Sequence, residues 1–121
     1  MRGWLHFWSF AGSIAACATL IAVSAALVGA AAAAATAVYS VTVLGLFGIS
    51  ALYHRHTWRS PRSRTVMRRL DHSMIFLFIA GSYTPLAVLA MDRPTAEWVL
   101  TVVWAGALAG VALKTLWPYA P

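Results

Sequence analysis

Ser50 and His54 stand four residues apart, and Asp71 follows His54 by seventeen. Four residues are about one turn of an α-helix, so the hydroxyl and the imidazole share a face. A hydroxyl, an imidazole and a carboxylate can hold a metal, move a proton or steady a developing oxyanion if the fold brings them to one depth. Each also has a plain structural reading. His54, at the end of an apolar run, reads as an interfacial histidine bonded to a neighbour. Asp71 opens the next run, where exposed backbone amides favour an anion and a carboxylate caps the helix. Spacing alone leaves both readings open.

The other histidines are poorer candidates. His56 lies two residues from His54 and points away from it on a helix, which disfavours a His54/His56 chelate. His72 has the same relation to Asp71, and His6, near the start of the first apolar run, reads as a structural residue at the same level.

These residues must be positioned by membrane-spanning helices. From Gly3 to Tyr53 the chain carries 51 residues without one Asp, Glu, Lys or Arg, and about 20 apolar residues suffice to cross a bilayer core. With 61% hydrophobic and 10% charged residues there is too little polar surface to cover a soluble domain. The sequence predicts an all-α, polytopic transmembrane helix bundle forming a single membrane domain over 1–121, with spans near 7–28, 35–53, 72–91 and 98–113. A turn is expected in the alanine tract Ala30 to Ala35 beside Gly29, although alanine also suits a helix. A secretory signal peptide is a weaker reading of the beginning, because a signal core is about 7 to 15 residues and this apolar run is far longer.

Between the second and third spans lies an Arg-rich loop, 54–70, with Arg55, Arg59, Arg62, Arg64, Arg68 and Arg69. Short loops rich in arginine stay in the cytoplasm. Alternation through four spans then puts Arg2 and Lys114 on the same side and Arg93 alone on the other. The expected location is the plasma (inner) membrane, multi-pass, with a cytoplasmic N-terminus. The net charge of +6 and pI near 10.5 do not indicate nucleic acid, since the basic residues are confined to segments beside apolar spans. Their expected partner is the lipid bilayer, with anionic lipid at the Arg-rich loop worth about 1 kcal/mol per side chain. Cys17 is the single cysteine, which excludes an intrachain disulfide and a cysteine metal cluster.

Three features read as packing. Ile75, Phe78 and Ser82 follow Asp71 at helical spacing and predict the stripe of span three that faces its neighbours. Ser82 and Thr84 are placed to satisfy the carbonyl freed by Pro85, and Gly106 with Gly110 predicts a close helix approach.

Whole phrases of the chain carry a resemblance: RGWLH at 2–6, SALYH at 50–54, RRLDHSMIFLFIAGSYTP at 68–85 and VVWAGALAGVALK at 102–114. They resemble the successive signatures of the hemolysin III proteins and their relatives, the progestin and adiponectin receptors, which are seven-span membrane proteins. The resemblance implies a zinc ion near the cytoplasmic face, bound by the second-span histidine and by a His-x-x-x-His pair of the seventh span. Carried over residue by residue, it makes His54 a zinc ligand. Asp71 becomes the residue that orients or deprotonates the attacking water, and Ser50 a hydroxyl that supports the site or touches the oxyanion. No His-x-x-x-His occurs in this sequence, so the expected zinc site is partial and the chain is expected to be a piece of a longer protein. The resemblance implies zinc-dependent hydrolysis of a lipid amide or ester, with zinc and a lipid chain sharing one cavity. The alternatives are a membrane-damaging, pore-forming protein, weakened by the few polar side chains along the spans, and a non-enzymatic receptor or sensor with a structural zinc.

Overall fold

The computed structural model describes residues 3–117. Their secondary structure is four helices: α1 Trp4–Leu27, α2 Ala30–Arg55, α3 Pro61–Ala90 and α4 Arg93–Leu116. At about 1.5 Å per residue, even the 24-residue helices run about 36 Å, longer than a bilayer core of about 30 Å. All four are apolar enough to cross a membrane.

The helices pack in chain order, α1 on α2, α2 on α3 and α3 on α4, with no other pair packed together among the described residues. Successive helices are antiparallel. Gly3, at the start of α1, lies against His54 at the end of α2; Gly110, late in α4, lies against Phe76 midway along α3, while Trp104, earlier in α4, bonds to Thr84, later in α3. The first turns of α1 and α3 and the last turns of α2 and α4 therefore share one end of the bundle. Arg55, Arg59, Arg62, Arg64, Arg68, Arg69 and Lys114 gather there, whereas Arg93 sits at the other end; Arg2 lies outside the described residues.

The interior is made of small residues. Ala32, Ala35, Thr36, Ser40, Thr42 and Ala51 of α2 are buried, as are Ser73, Ala80, Gly81, Thr84 and Ala87 of α3, and Thr42 lies directly against Gly81. Large apolar side chains point outward instead, among them Leu5, Trp8 and Leu27 of α1 and Trp98, Val102 and Leu108 of α4. In water this arrangement would be inverted. In lipid it is the favourable one, because tails solvate leucine as well as protein does and close backbone approach supplies the packing. The buried hydroxyls of Thr36 and Ser40 donate within α2, Thr36 to Ala32 O at 2.9 Å and Ser40 to Thr36 O at 2.7 Å, so neither presents a polar hydrogen to lipid.

The helix ends depart from the sequence expectation for local reasons. The first turn is only Val28 and Gly29, and the alanine tract belongs to α2. Gly29 adopts φ 145°, a conformation open to glycine alone, while the amides of Val28 and Gly29 both donate to Ser24 O, at 3.0 and 2.9 Å. The Arg-rich segment is helical from Pro61 onward. Ser60 caps α3, its hydroxyl accepting from the amides of Arg62 and Ser63, and Pro61 at the first helical position is already set to the helical φ. Asp71 consequently stands inside α3 and caps nothing, contrary to the capping reading.

Packing details also differ. Ile75 is 50% exposed, whereas Phe78 and Ser82 are half-buried and Phe78 packs on Tyr39 of α2 with ring centroids 6.3 Å apart; the buried positions of α3 are Ser73, Ala80, Gly81, Thr84 and Ala87. The small residues win the interface because they let α2 come close. Ser82 and Thr84 donate to the carbonyls of Phe78 and Ala80, at 2.8 and 2.9 Å, not to the carbonyl of Gly81 that Pro85 leaves free. Gly110 makes room for the Phe76 ring, but Gly106 faces open space, so the two glycines are not one contact surface. The bond from Trp104 Nε1 to Thr84 Oγ1, 3.1 Å, ties α4 to α3 instead.

Candidate functional site at the basic end of the bundle

His54 occupies the last turn of α2 and Asp71 the third turn of α3, and the antiparallel pairing brings them together. His54 Nε2 lies 3.9 Å from Asp71 Oδ2. This distance is too long for a direct hydrogen bond and short enough for an ion pair or for one bridging atom. Asp71 is the more enclosed of the two, its side chain 14% exposed against 47% for His54. Ser50, one turn before His54, is buried at 4% exposure.

His6, expected to be a structural residue at this level, also joins the candidate site. Its Nδ1 is hydrogen-bonded to Ser50 Oγ, and its ring centroid lies 6.4 Å from that of His54. Residue 6 sits on a different helix, 44 positions from Ser50, so no local spacing could pair them. The signal was its depth, since a histidine just inside the start of α1 must share a level with the end of an antiparallel α2. Gly3 lets α1 start this close, with φ 70° and its backbone against the His54 and Arg55 side chains. Gly3, Leu5, His6 and His54 line a recess of about 240 Å³. His72 is exposed and does not join the cluster.

Aromatic rings frame this end. Tyr53 packs against His54 with centroids 4.8 Å apart, and the Arg55 guanidinium stacks 3.6 Å above the Trp4 ring. Such a stack holds the arginine on α1, where an exposed cation over an indole gains about 0.5–1 kcal/mol.

A zinc ion can be tested against these donors. Two ligands about 2.1 Å from one ion at the tetrahedral angle stand about 3.4 Å apart, so the His54–Asp71 gap would hold an ion after closing by about half an ångström. Two donors are short of the three protein ligands that a catalytic zinc takes. Among the described residues no group of three His, Cys, Asp or Glu side chains is placed to hold a metal. A second cavity, about 420 Å³ and lined by Val38, Val41, Met74, Leu77 and Trp104, opens between α2, α3 and α4. It shares no lining residue with the recess at His54, so these residues form two separate cavities rather than one.

Antiparallel apolar helices, interiors of small residues and a basic end carrying His54, Asp71 and Ser50 define a multi-pass α-helical membrane protein. The chain belongs to the haemolysin-III related family, whose family model matches residues 1–121. It is 34% identical to Hemolysin-3 of Bacillus cereus over 77 residues, covering 64% of this chain and 34% of that protein. It is 31% identical to the Hemolysin-3 homolog of Bacillus subtilis (strain 168), over 64% of the chain and 35% of the relative. Monocyte to macrophage differentiation factor of Homo sapiens is 30% identical over 60% of the chain and 32% of its own length. The chain thus spans about a third of the length of these curated relatives. No solved structure matches it.

Proposed function

We propose that this chain contributes part of a zinc-dependent hydrolase site, acting on a lipid amide or ester at the cytoplasmic face of the plasma membrane. The observation that carries the reading is the approach of His54 to Asp71 beside a buried Ser50 hydroxyl. His54 is one zinc ligand, and the shell is completed by donors other than the described residues. Bound zinc polarises a carbonyl and acidifies water. Asp71 accepts the proton of the attacking water, and its enclosure keeps it beside that water rather than in bulk solvent. Ser50 donates to the carbonyl oxygen as charge develops there, which requires His6 to carry its proton on Nδ1 and leave the Ser50 hydroxyl hydrogen free.

The cytoplasmic placement, with the N-terminus inside, rests on charge. Six arginines and Lys114 collect at the end of the bundle that holds His54, against Arg93 alone at the opposite end. Zinc content in detergent of the protein together with the segments that would supply the remaining donors, wild type against His54→Ala, tests the metal reading. A clear loss of zinc in the variant is expected; equal zinc in both, or none in either, overturns it.

A further inference from the structure

The arginines of the segment joining α2 to α3 outnumber the carboxylates that could neutralise them. The chain has three acidic residues. Asp92 and Glu97 lie at the opposite end of the bundle, where Asp92 caps α4 and Glu97 pairs with Arg93 at 3.1 Å. Asp71 is the one acidic side chain near the six arginines. Two of the six rest on aromatic faces, Arg55 on Trp4 and Arg64 5.1 Å over Tyr53.

Part of this charge, Arg55 included, surrounds a shaped recess. Arg55, His56, Arg59 and Ser63 wall a cavity of about 680 Å³ where α2 gives way to α3. Trp58 also lines it and is fixed in place, its indole N–H donating to Tyr53 O at 3.0 Å and its ring packed on His56 with centroids 4.4 Å apart. Trp58 and Ser63 are shared with a second recess of about 320 Å³, whose other walls are Arg62, Val66 and Met67. A basic, polar chamber therefore adjoins a partly apolar one. The first amides of α3 already donate to Ser60, so an anion in the basic chamber meets side chains.

A free phosphate has no use for the Val66 and Met67 wall. An amphiphile does. The start of α3 also projects beyond the apolar part of the helix, which puts both chambers at headgroup depth. We propose that the paired recess binds the headgroup of an anionic phospholipid, with its phosphate between Arg55, Arg59 and Ser63 and its glycerol-ester region against Val66 and Met67. Arginine suits the task because its planar fork meets two phosphate oxygens at once. The inference stands apart from the zinc reading, since none of these residues belongs to the His54 cluster.

The test uses the full chain in a neutral detergent with fluorescently labelled phosphatidic acid as the probe. Saturable binding is expected, displaced by unlabelled phosphatidic acid and not by phosphatidylcholine or inorganic phosphate at equal concentration. Arg59→Gln should weaken it about fivefold, the effect of removing one surface arginine from an anionic lipid. Val66→Ser should weaken it as well, whereas Arg93→Gln, at the far end, should leave it unchanged. Displacement by inorganic phosphate as effective as by lipid would overturn the lipid assignment in favour of a soluble anion. Equal losses in Arg59→Gln and Arg93→Gln would replace the site with diffuse charge, and an unaffected Val66→Ser would remove the apolar chamber from it.

Discussion

The buried Ser50 hydroxyl of α2 is hydrogen-bonded to Nδ1 of His6, which reaches it from α1. This bond fastens the outermost helix to the site end of the bundle, where α1 otherwise presents mostly lipid-facing side chains. His6→Ala should lower stability by about 1 kcal/mol, the net value of one such bond. In a Ser50→Ala background the same change should cost distinctly less, because the partner is already gone. Thermal unfolding of the four proteins in one detergent measures the coupling; additive losses would show that the two residues act independently.

The crossing of α2 and α3 depends on Gly81, where an added Cβ would run into the hydroxyl, methyl and Cβ of Thr42. Both residues are buried on facing helices, and Thr42 is held in place by its bond to Tyr39 O at 2.7 Å. Gly81→Val is expected to destabilise by about 1–3 kcal/mol through overpacking. Adding Thr42→Ala should recover part of that loss by vacating the space. No recovery in melting temperature would mean that the valine clashes elsewhere.

Much of this architecture is written in the chain. Four uncharged or nearly uncharged stretches announce four helices, and the crowding of arginine into 55–69 announces which ends share a side. The one-turn spacing of Ser50 and His54, with Asp71 opening the next apolar stretch, locates the end of the bundle where the candidate residues meet. What the chain concealed has a common cause: hydropathy marks where lipid is, not where a helix begins. Pro61 to Leu70 is polar and helical at once, so Ser60 rather than Asp71 is the cap. The burial of Ser73 and Gly81 in preference to Ile75 was hidden for a related reason. In lipid, size decides which residue faces a neighbouring helix, and an amphipathic stripe is no guide. His6 was missed because its partner is set by tertiary pairing.

Ser60→Ala removes the hydroxyl that accepts from the amides of Arg62 and Ser63 at the start of α3. The loss should be about 1 kcal/mol. Because Pro61 keeps the first φ in place, the helix should shorten by fraying through the arginines rather than break. Faster amide exchange confined to residues near 62–66 would report it, and unchanged exchange there would show that Pro61 alone holds the end.

At the opposite end, the pH response turns on Asp92, the exposed cap of α4. Its carboxylate is held below the usual aspartate range, first by the Thr95 side-chain hydroxyl and then by the Thr95 backbone amide, which donates to Oδ2 at 3.2 Å. Both bonds favour the charged form, so the folded state binds this proton less readily than the unfolded chain does. Stability from the charge is therefore complete above the ordinary aspartate pKa of about 3.9 and is lost as pH falls through the lower, folded value. Asp92→Asn keeps an acceptor oxygen for the Thr95 amide but has no charge to titrate. The melting temperature of wild type minus that of Asp92→Asn should be constant between about pH 7 and pH 5 and shrink below about pH 4. A difference that stays flat through the acid range would show that the cap works as a neutral acceptor, with the negative charge contributing nothing at the positive end of the α4 dipole.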